Sequence, residues 1–182
     1  GQGAPSLCPL PPPRAILPRM PDARDRFVHL HLHTDRSLLD AMCRPDELVE
    51  AVKARGMSAV AVTDHGNLFA WIDFYKRAKK AGIKPILGCE VYVAPASRFD
   101  KNPGGGREGG ATHLTLLAQN EKGFKNLIEL SSLAFVEGFY YKPRIDKAAL
   151  AQYHEGLIGL SGCMNSEFCK HIRNDMPDKA RK

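Results

Sequence analysis

Residues 27–40 read FVHLHLHTDRSLLD, and the order of apolar and imidazole side chains there decides how the rest of the chain is read. Val28, Leu30 and Leu32 alternate with His29, His31 and His33. A strand turns alternate residues to one face, so the spacing predicts a strand whose three histidines share a side. Such a strand can offer two imidazoles, from His31 and His33, to one metal cluster. His29 sits one pleat behind and reads as an interior hydrogen-bonding residue. The strand breaks at His33-Thr34-Asp35 into a loop from which Asp40 returns as a carboxylate.

Around this stretch, 182 residues with 43% hydrophobic side chains are enough for one globular domain with a real core. The net charge of +6 would favour a nucleic-acid or phosphate partner, but it is concentrated at the ends. Residues 1–26 carry four basic and two acidic side chains, and residues 170–182 carry five and two, so the body between is nearly neutral. Five cysteines, Cys8, Cys43, Cys89, Cys163 and Cys169, form no CxxC pair and no regular framework, which points to a reducing, cytoplasmic setting. No apolar run approaches the ~18 residues of a membrane span, and no secretory signal is evident. The expectation is a soluble intracellular protein with no membrane contact.

Seven prolines in residues 1–26 block helix interiors and central strands, so this segment is expected to be a disordered arm, with one domain over 27–182. Pro45 followed by Asp46 and Glu47 opens a helix. Residues 58–62 (SAVAV) read as a strand covered on both faces, ending in Thr63-Asp64-His65-Gly66. Leu68, Trp71, Ile72, Tyr75 and Ala78 recur at helical spacing, and residues 84–94 form the next strand, with Glu90 inside it. Residues 95–112, holding five glycines and two prolines, predict a mobile excursion. Residues 113–118 (HLTLLA) resume a strand. A helix with Phe124, Leu127, Ile128 and Phe135 on one side follows, then FYYKPRID, a short helix at 147–153, a strand at 157–160 ending in Ser161-Gly162-Cys163, and a last helix from Asn165 to about Arg173.

Strands alternating with helices predict a mostly parallel sheet flanked by helices, with ligands beyond the C-terminal strand ends. His33, His65 and Cys163 fall there. His113 precedes its strand, so either that strand runs the other way or the residue enters from the loop. The candidate ligand set is His31, His33, Asp40, His65, Glu90, His113 and Cys163. Asp64 beside them reads as a group orienting His65 or capping the following helix. A lone buried thiol is ordinarily core, and only its place after the Ser-Gly turn makes Cys163 a candidate. Imidazole, carboxylate and thiolate together suit zinc or manganese better than calcium or magnesium. Clustered divalent ions promote phosphoryl displacement, so a phosphoester substrate is expected. The basic run Lys76, Arg77, Lys79, Lys80 reads as the wet face of a helix, and Trp71, Phe74 and Tyr75 as core as readily as a base-stacking platform.

HLHLHT, SLLDA, AVTDHGNLF, GCEVYVAP, HLTLLA and GLIGLSGC, in this order, resemble the polymerase and histidinol phosphatase (PHP) domain. DFYKRAKKAGIKPILGCEVYVAP and EGFYYKPRID resemble its polymerase branch, the N-terminal domain of the alpha subunit of bacterial DNA polymerase III, over residues 27–167. The resemblance implies an α/β fold, a distorted (β/α)7 TIM-like barrel, truncated at the C-terminus in this chain. It also implies a centre of up to three divalent ions held by the seven candidates, with Asp40, His33 and His65 as the catalytic residues. The family's later Asp-x-His motif and the polymerase domain, which would use magnesium, are not found in these residues.

The implied parent function is DNA-directed DNA polymerase activity in replication, with the PHP region a metal-dependent 3′→5′ exonuclease. Implied partners are primer-template DNA, other replicase subunits, a separate proofreading exonuclease subunit and a sliding clamp. The alternatives are a metal-stabilised, non-catalytic platform that docks such an exonuclease, and a free-standing PHP phosphatase acting on small esters.

Overall fold

The structure, a computed structural model, describes residues 27–101 and 110–181. The expected arm over 1–26, with Cys8, lies outside the described residues, as does the glycine-rich part of the excursion at 102–109. Helix α1 (Pro45–Ala54) starts on its proline with Asp46 and Glu47 in the first turn, and buries Leu48, Val49 and Val52. Strand β1 (Ala59–Val62) is buried along its whole length, as an uninterrupted apolar run requires. Helix α2 (Trp71–Lys80) follows, then β2 (Lys84–Val93), β3 (Thr112–Ala118), α3 (Glu121–Val136), β4 (Arg144–Ile145), α4 (Lys147–Gln152), β5 (Leu157–Leu160), α5 (Glu167–Arg173) and α6 (Pro177–Ala180). Among the described residues no helix is long and apolar enough to cross a membrane.

The sheet follows the order β1-β2-β3-β5, with β4 paired to the end of β2. β1 and β4 run parallel to β2, whereas β3 is antiparallel to both β2 and β5. The sheet is therefore mixed rather than mostly parallel. Because only β3 is reversed, its N-terminal end meets the C-terminal ends of its neighbours at one rim. This decides between the two routes open to His113: its strand runs the other way.

Alternation along β2 sorts its side chains. Cys89, Val91 and Val93 enter a core with Leu127, Leu130 and Ala134 of α3 and Ile145 and Ala149 beyond it. Glu90 and Tyr92 turn to the opposite face, where β3 presents His113 and Thr115 in register with Tyr92 and Glu90. A second core packs Leu48, Val49 and Val52 of α1 with Phe74 and Ala78 of α2 against Val60 and Val62. Trp71 belongs to the first core, its indole Nε1 donating to Gly88 O at 3.0 Å. Tyr75 is 46% exposed, so this aromatic trio divides between core and surface. On α3 the buried stripe runs through Leu127, Leu130 and Ala134, while Ile128 and Phe135 face solvent at 39% and 40% exposure. Of the expected apolar side, Phe124 and Leu127 pack in the first core, whereas Ile128 and Phe135 do not.

Two further expectations change. Residues 27–33 run beside β1 with Ala61 N donating to His29 O at 2.8 Å and Thr63 N to Leu32 O at 2.8 Å, but they bend at Leu30 and His31 and form no regular strand. The Leu32 amide donates instead to Thr63 Oγ1 at 2.9 Å, which interrupts the ladder. Residues 95–101 contain no element, yet they are anchored rather than loose. Arg98 pairs with Asp146 at 3.0 Å and Glu137 at 2.6 Å, and Lys101 donates to Glu137 O and Phe139 O at 2.7 and 2.9 Å.

Candidate metal centre

Glu90 is 1% exposed and stands where the other candidates converge. Its Oε2 lies 2.5 Å from His31 Nε2 and 2.7 Å from His33 Nε2, and its Oε1 lies 2.8 Å from His113 Nδ1. The bend that spoils the first strand leaves His31 and His33 aimed at this one carboxylate, their Nε2 atoms 3.2 Å apart. Asp40 Oδ2 lies 3.1 Å from His33 Nδ1 and 2.8 Å from His65 Nε2. Cys163 Sγ reaches Glu90 Oε1 and His113 Nδ1, both at 3.4 Å. All seven candidates are thus brought together from five separate segments.

Six of the seven, Cys163 excepted, form three overlapping groups of donor atoms, His31-His33-Glu90, His33-Asp40-His65 and His65-Glu90-His113, each within 4.8 Å. Nitrogen and oxygen donors gathered this closely suit divalent metal ions. His65 Nδ1 supplies an independent sign of fit, being buried without a hydrogen-bond partner among the described residues. An orphaned ring nitrogen inside a cluster of acids is costly unless it faces a cation.

The charge balance of the cluster separates its members. Burial alone would raise Glu90, but hydrogen bonds from His113, His31 and His33 reverse this and hold its carboxyl far below the usual range. Burial would lower His33, yet hydrogen bonds to Glu90 and Asp40 raise it above an ordinary histidine. At His65 burial prevails and lowers it, despite the charges of Glu90 and Asp40. Burial pushes the Cys163 thiol up, and Glu90 adds to it.

Comparison with known proteins gives the family. The family model of the PHP domain matches residues 29–182. The chain belongs to the PHP domain family. Its relatives include the DNA polymerase III subunit alpha of Thermus aquaticus, 49% identical over 157 residues and covering 85% of this chain and 13% of the relative. The subunit of the same name from Borreliella burgdorferi is 53% identical over 142 residues, covering 78% of this chain and 12% of the relative. This PHP domain chain therefore spans about an eighth of the length of these curated relatives. Among solved structures, an amidohydrolase from Chromobacterium violaceum superposes with a TM-score of 0.41 and 22% identity, over 59% of this chain and 32% of that one.

Within this PHP domain the residues beside the candidates divide by task. Asp64 is 1% exposed and does not join the donor groups. It accepts from Thr34 N at 2.7 Å, Thr34 Oγ1 at 2.8 Å and Ser37 Oγ at 2.7 Å, and Ser37 Oγ in turn accepts from His65 N at 3.1 Å. It orients the His65 backbone through Ser37 and ties the Asp40 loop to β1. His29 stays apart, its ring packed edge-on against Phe27 at 4.8 Å, with no side-chain hydrogen bond among the described residues. Cys89 is buried, and burial drives its thiol upward, so it is inert core. Cys43 and Cys169 are half-buried and free.

Sequence reasoning missed Thr34, Ser37 and Tyr92. The Tyr92 ring lies 5.8 Å from His65, nearly parallel, and 5.0 Å from His113, edge-on. Its only sequence signal was its place two residues after Glu90 on one strand face, which alternation could have supplied.

Proposed function

We propose that this PHP domain is part of a replicative DNA-directed DNA polymerase of the subunit alpha type, and that its metal centre hydrolyses phosphodiesters as a 3′→5′ exonuclease. The observation that carries the reading is Glu90, a buried carboxylate shared by His31, His33 and His113. So costly a charge is retained only where it is multiply hydrogen-bonded or faces cations. The five-stranded sheet is taken as an arc of a distorted (β/α)7 barrel with this site at its rim. The 49% and 53% identities to subunit alpha relatives support the polymerase branch over a free-standing phosphatase.

His31, His33, Asp40, His65, Glu90, His113 and Cys163 would hold up to three zinc or manganese ions. Bound there, such ions lower the pKa of a water and neutralise charge on a phosphate. The chain's own residues do the remaining work. Asp40 is the most solvent-open of these carboxylates, with a side chain 44% exposed, and its Oδ2 is placed to accept a proton from the attacking water. His33 and His65 grip that oxygen from two sides and fix its direction. Glu90 keeps the inner imidazoles in place. Attack on the terminal phosphodiester releases one nucleotide.

The test is made in the full-length protein, free of partner subunits. His33→Ala and Asp40→Asn are expected to abolish exonuclease activity while nucleotide addition survives; exonuclease retained in both variants overturns the assignment.

A further inference from the structure

We propose that Lys142 is the residue that binds a phosphate of the anionic ester at the candidate metal centre, its ammonium kept at the rim by the ring of Tyr92. This role rests on the phosphoester reading above and names what holds that substrate's charge. Lys142 Nζ lies 5.4 Å from the Tyr92 ring centroid, within cation–π range. Tyr92 itself packs against His65 and His113, so the ammonium stands one ring away from two candidate ligands.

The backbone around Lys142 is built to present it. Tyr141 adopts φ 57°, a left-handed conformation that bulky residues rarely take, and Tyr140 N donates to Lys142 O at 3.0 Å to close the turn. A Cβ on Gly66 would come within 2.7 Å of Pro143 Cγ, so this turn lies directly on the loop that carries His65.

Most neighbouring cations are committed to protein oxygens; Lys179, which lines a cavity with His113 and Lys147, is not, among the described residues. Arg144 donates to Asp100 O at 2.7 Å, Lys147 pairs with Glu167 at 2.8 Å, and Lys170 donates to Ala111 O at 3.0 Å. Arg98 and Lys101 are held as described above. Lys142 has no carboxylate or carbonyl on its ammonium among the described residues. Lysine serves phosphates as a compact point charge, and beside ions that would neutralise Glu90 and Asp40 such an ammonium favours an incoming anion.

The test uses the full-length protein with manganese and a single-stranded oligothymidylate. Lys142→Ala and Lys142→Gln are expected to raise KM roughly tenfold, the loss of about one charge-assisted contact, with kcat within about twofold. The slope of log KM against log salt should flatten by about 0.7, one phosphate contact on a single strand, and Lys142→Arg should restore it. A second measurement follows melting temperature as inorganic phosphate is added to the manganese-loaded protein: the wild type should rise and the Ala and Gln variants should not. Wild-type KM and salt slope in both variants overturn the proposal while leaving the phosphoesterase reading intact. A drop in kcat alone, or a melting temperature lowered in all three variants with the salt slope unchanged, assigns Lys142 to packing and overturns it too. A wild type that neither cleaves the oligonucleotide nor responds to phosphate overturns both readings together.

Discussion

His113 Nδ1 lies 2.8 Å from Glu90 Oε1 across the antiparallel pair β2 and β3, one of the two reversed junctions of the sheet. In an all-parallel sheet a residue at the start of a strand lies a full strand length from the rim where ligands gather. Reversal of β3 brings His113 to the end of β2 that carries Glu90, and registers it opposite Tyr92, so the two side chains meet on a diagonal of one face.

Glu90→Gln should empty most of the centre. The carboxylate belongs to two of the three donor groups, and an amide brings hydrogens to the side that His31 and His33 approach. Metal per chain, measured by elemental analysis after dialysis, is expected to fall by more than half; content equal to that of a metal-bearing wild type would show that the ions do not depend on Glu90.

Asp64→Ala should destabilise the 182-residue chain by about 3 kcal/mol, since it strands three buried donors. Asp64→Asn keeps an acceptor for Thr34 N and Ser37 Oγ and should cost only about 1 kcal/mol. Urea unfolding midpoints of the two variants separate these outcomes, and equal costs would mean that Asp64 acts through its charge rather than its acceptors.

The candidate ligands were legible in the sequence because each one borders or interrupts an apolar run. HLHLHT, TDHG and the Cys after Ser161-Gly162 all have that form. The regular strand at 27–33 was not legible as a bend, because the interruption comes from Thr63 Oγ1, a side chain thirty-one positions away that captures the Leu32 amide. The direction of β3 was equally hidden, since a strand's own pattern is the same read in either direction. Residues 95–101 looked loose from their composition, but their order comes from Asp146 and Glu137, far along the chain. Long-range polar contacts leave no local periodicity.

The Arg98–Asp146 pair predicts a pH window. Burial would raise the Asp146 carboxyl, but hydrogen bonds from the Arg98 and Ala149 amides, with the Arg98 guanidinium, hold it below the ordinary value. A carboxylate depressed in the folded state contributes stability in full above its unfolded pKa of about 3.9, and loses it as pH falls through the depressed value. Asp146→Asn should therefore cost about 2 kcal/mol at pH 7 and nearly as much at pH 5, because the largely buried Arg98 is left with Glu137 as its one charged partner. Below about pH 4 the gap to wild type should close as the wild-type carboxyl protonates. Urea unfolding at pH 7, 5 and 3 checks this, and a gap that stays constant to pH 3 would assign the cost to packing.

Gly66→Ala should disturb both stability and the metal centre, whereas Gly82→Ala should disturb stability alone. Both glycines have positive φ, 61° at Gly66 and 76° at Gly82, so each substitution costs about 1 kcal/mol in backbone strain. Their surroundings differ. A Cβ at Gly82 meets nothing within 4 Å, but one at Gly66 would lie 2.7 Å from Pro143 Cγ and 3.0 Å from Tyr92 Cε2. Neither neighbour yields easily, because the proline ring is rigid and the tyrosine is pinned between His65 and His113. The Gly66 loop must move instead, for a further cost of roughly 1–3 kcal/mol. That loop carries His65, whose nitrogens serve two of the donor groups. Metal content should accordingly drop in Gly66→Ala and remain at the wild-type level in Gly82→Ala, with unfolding midpoints measured on the same samples; equal metal content in the two would show that the His65 loop tolerates displacement.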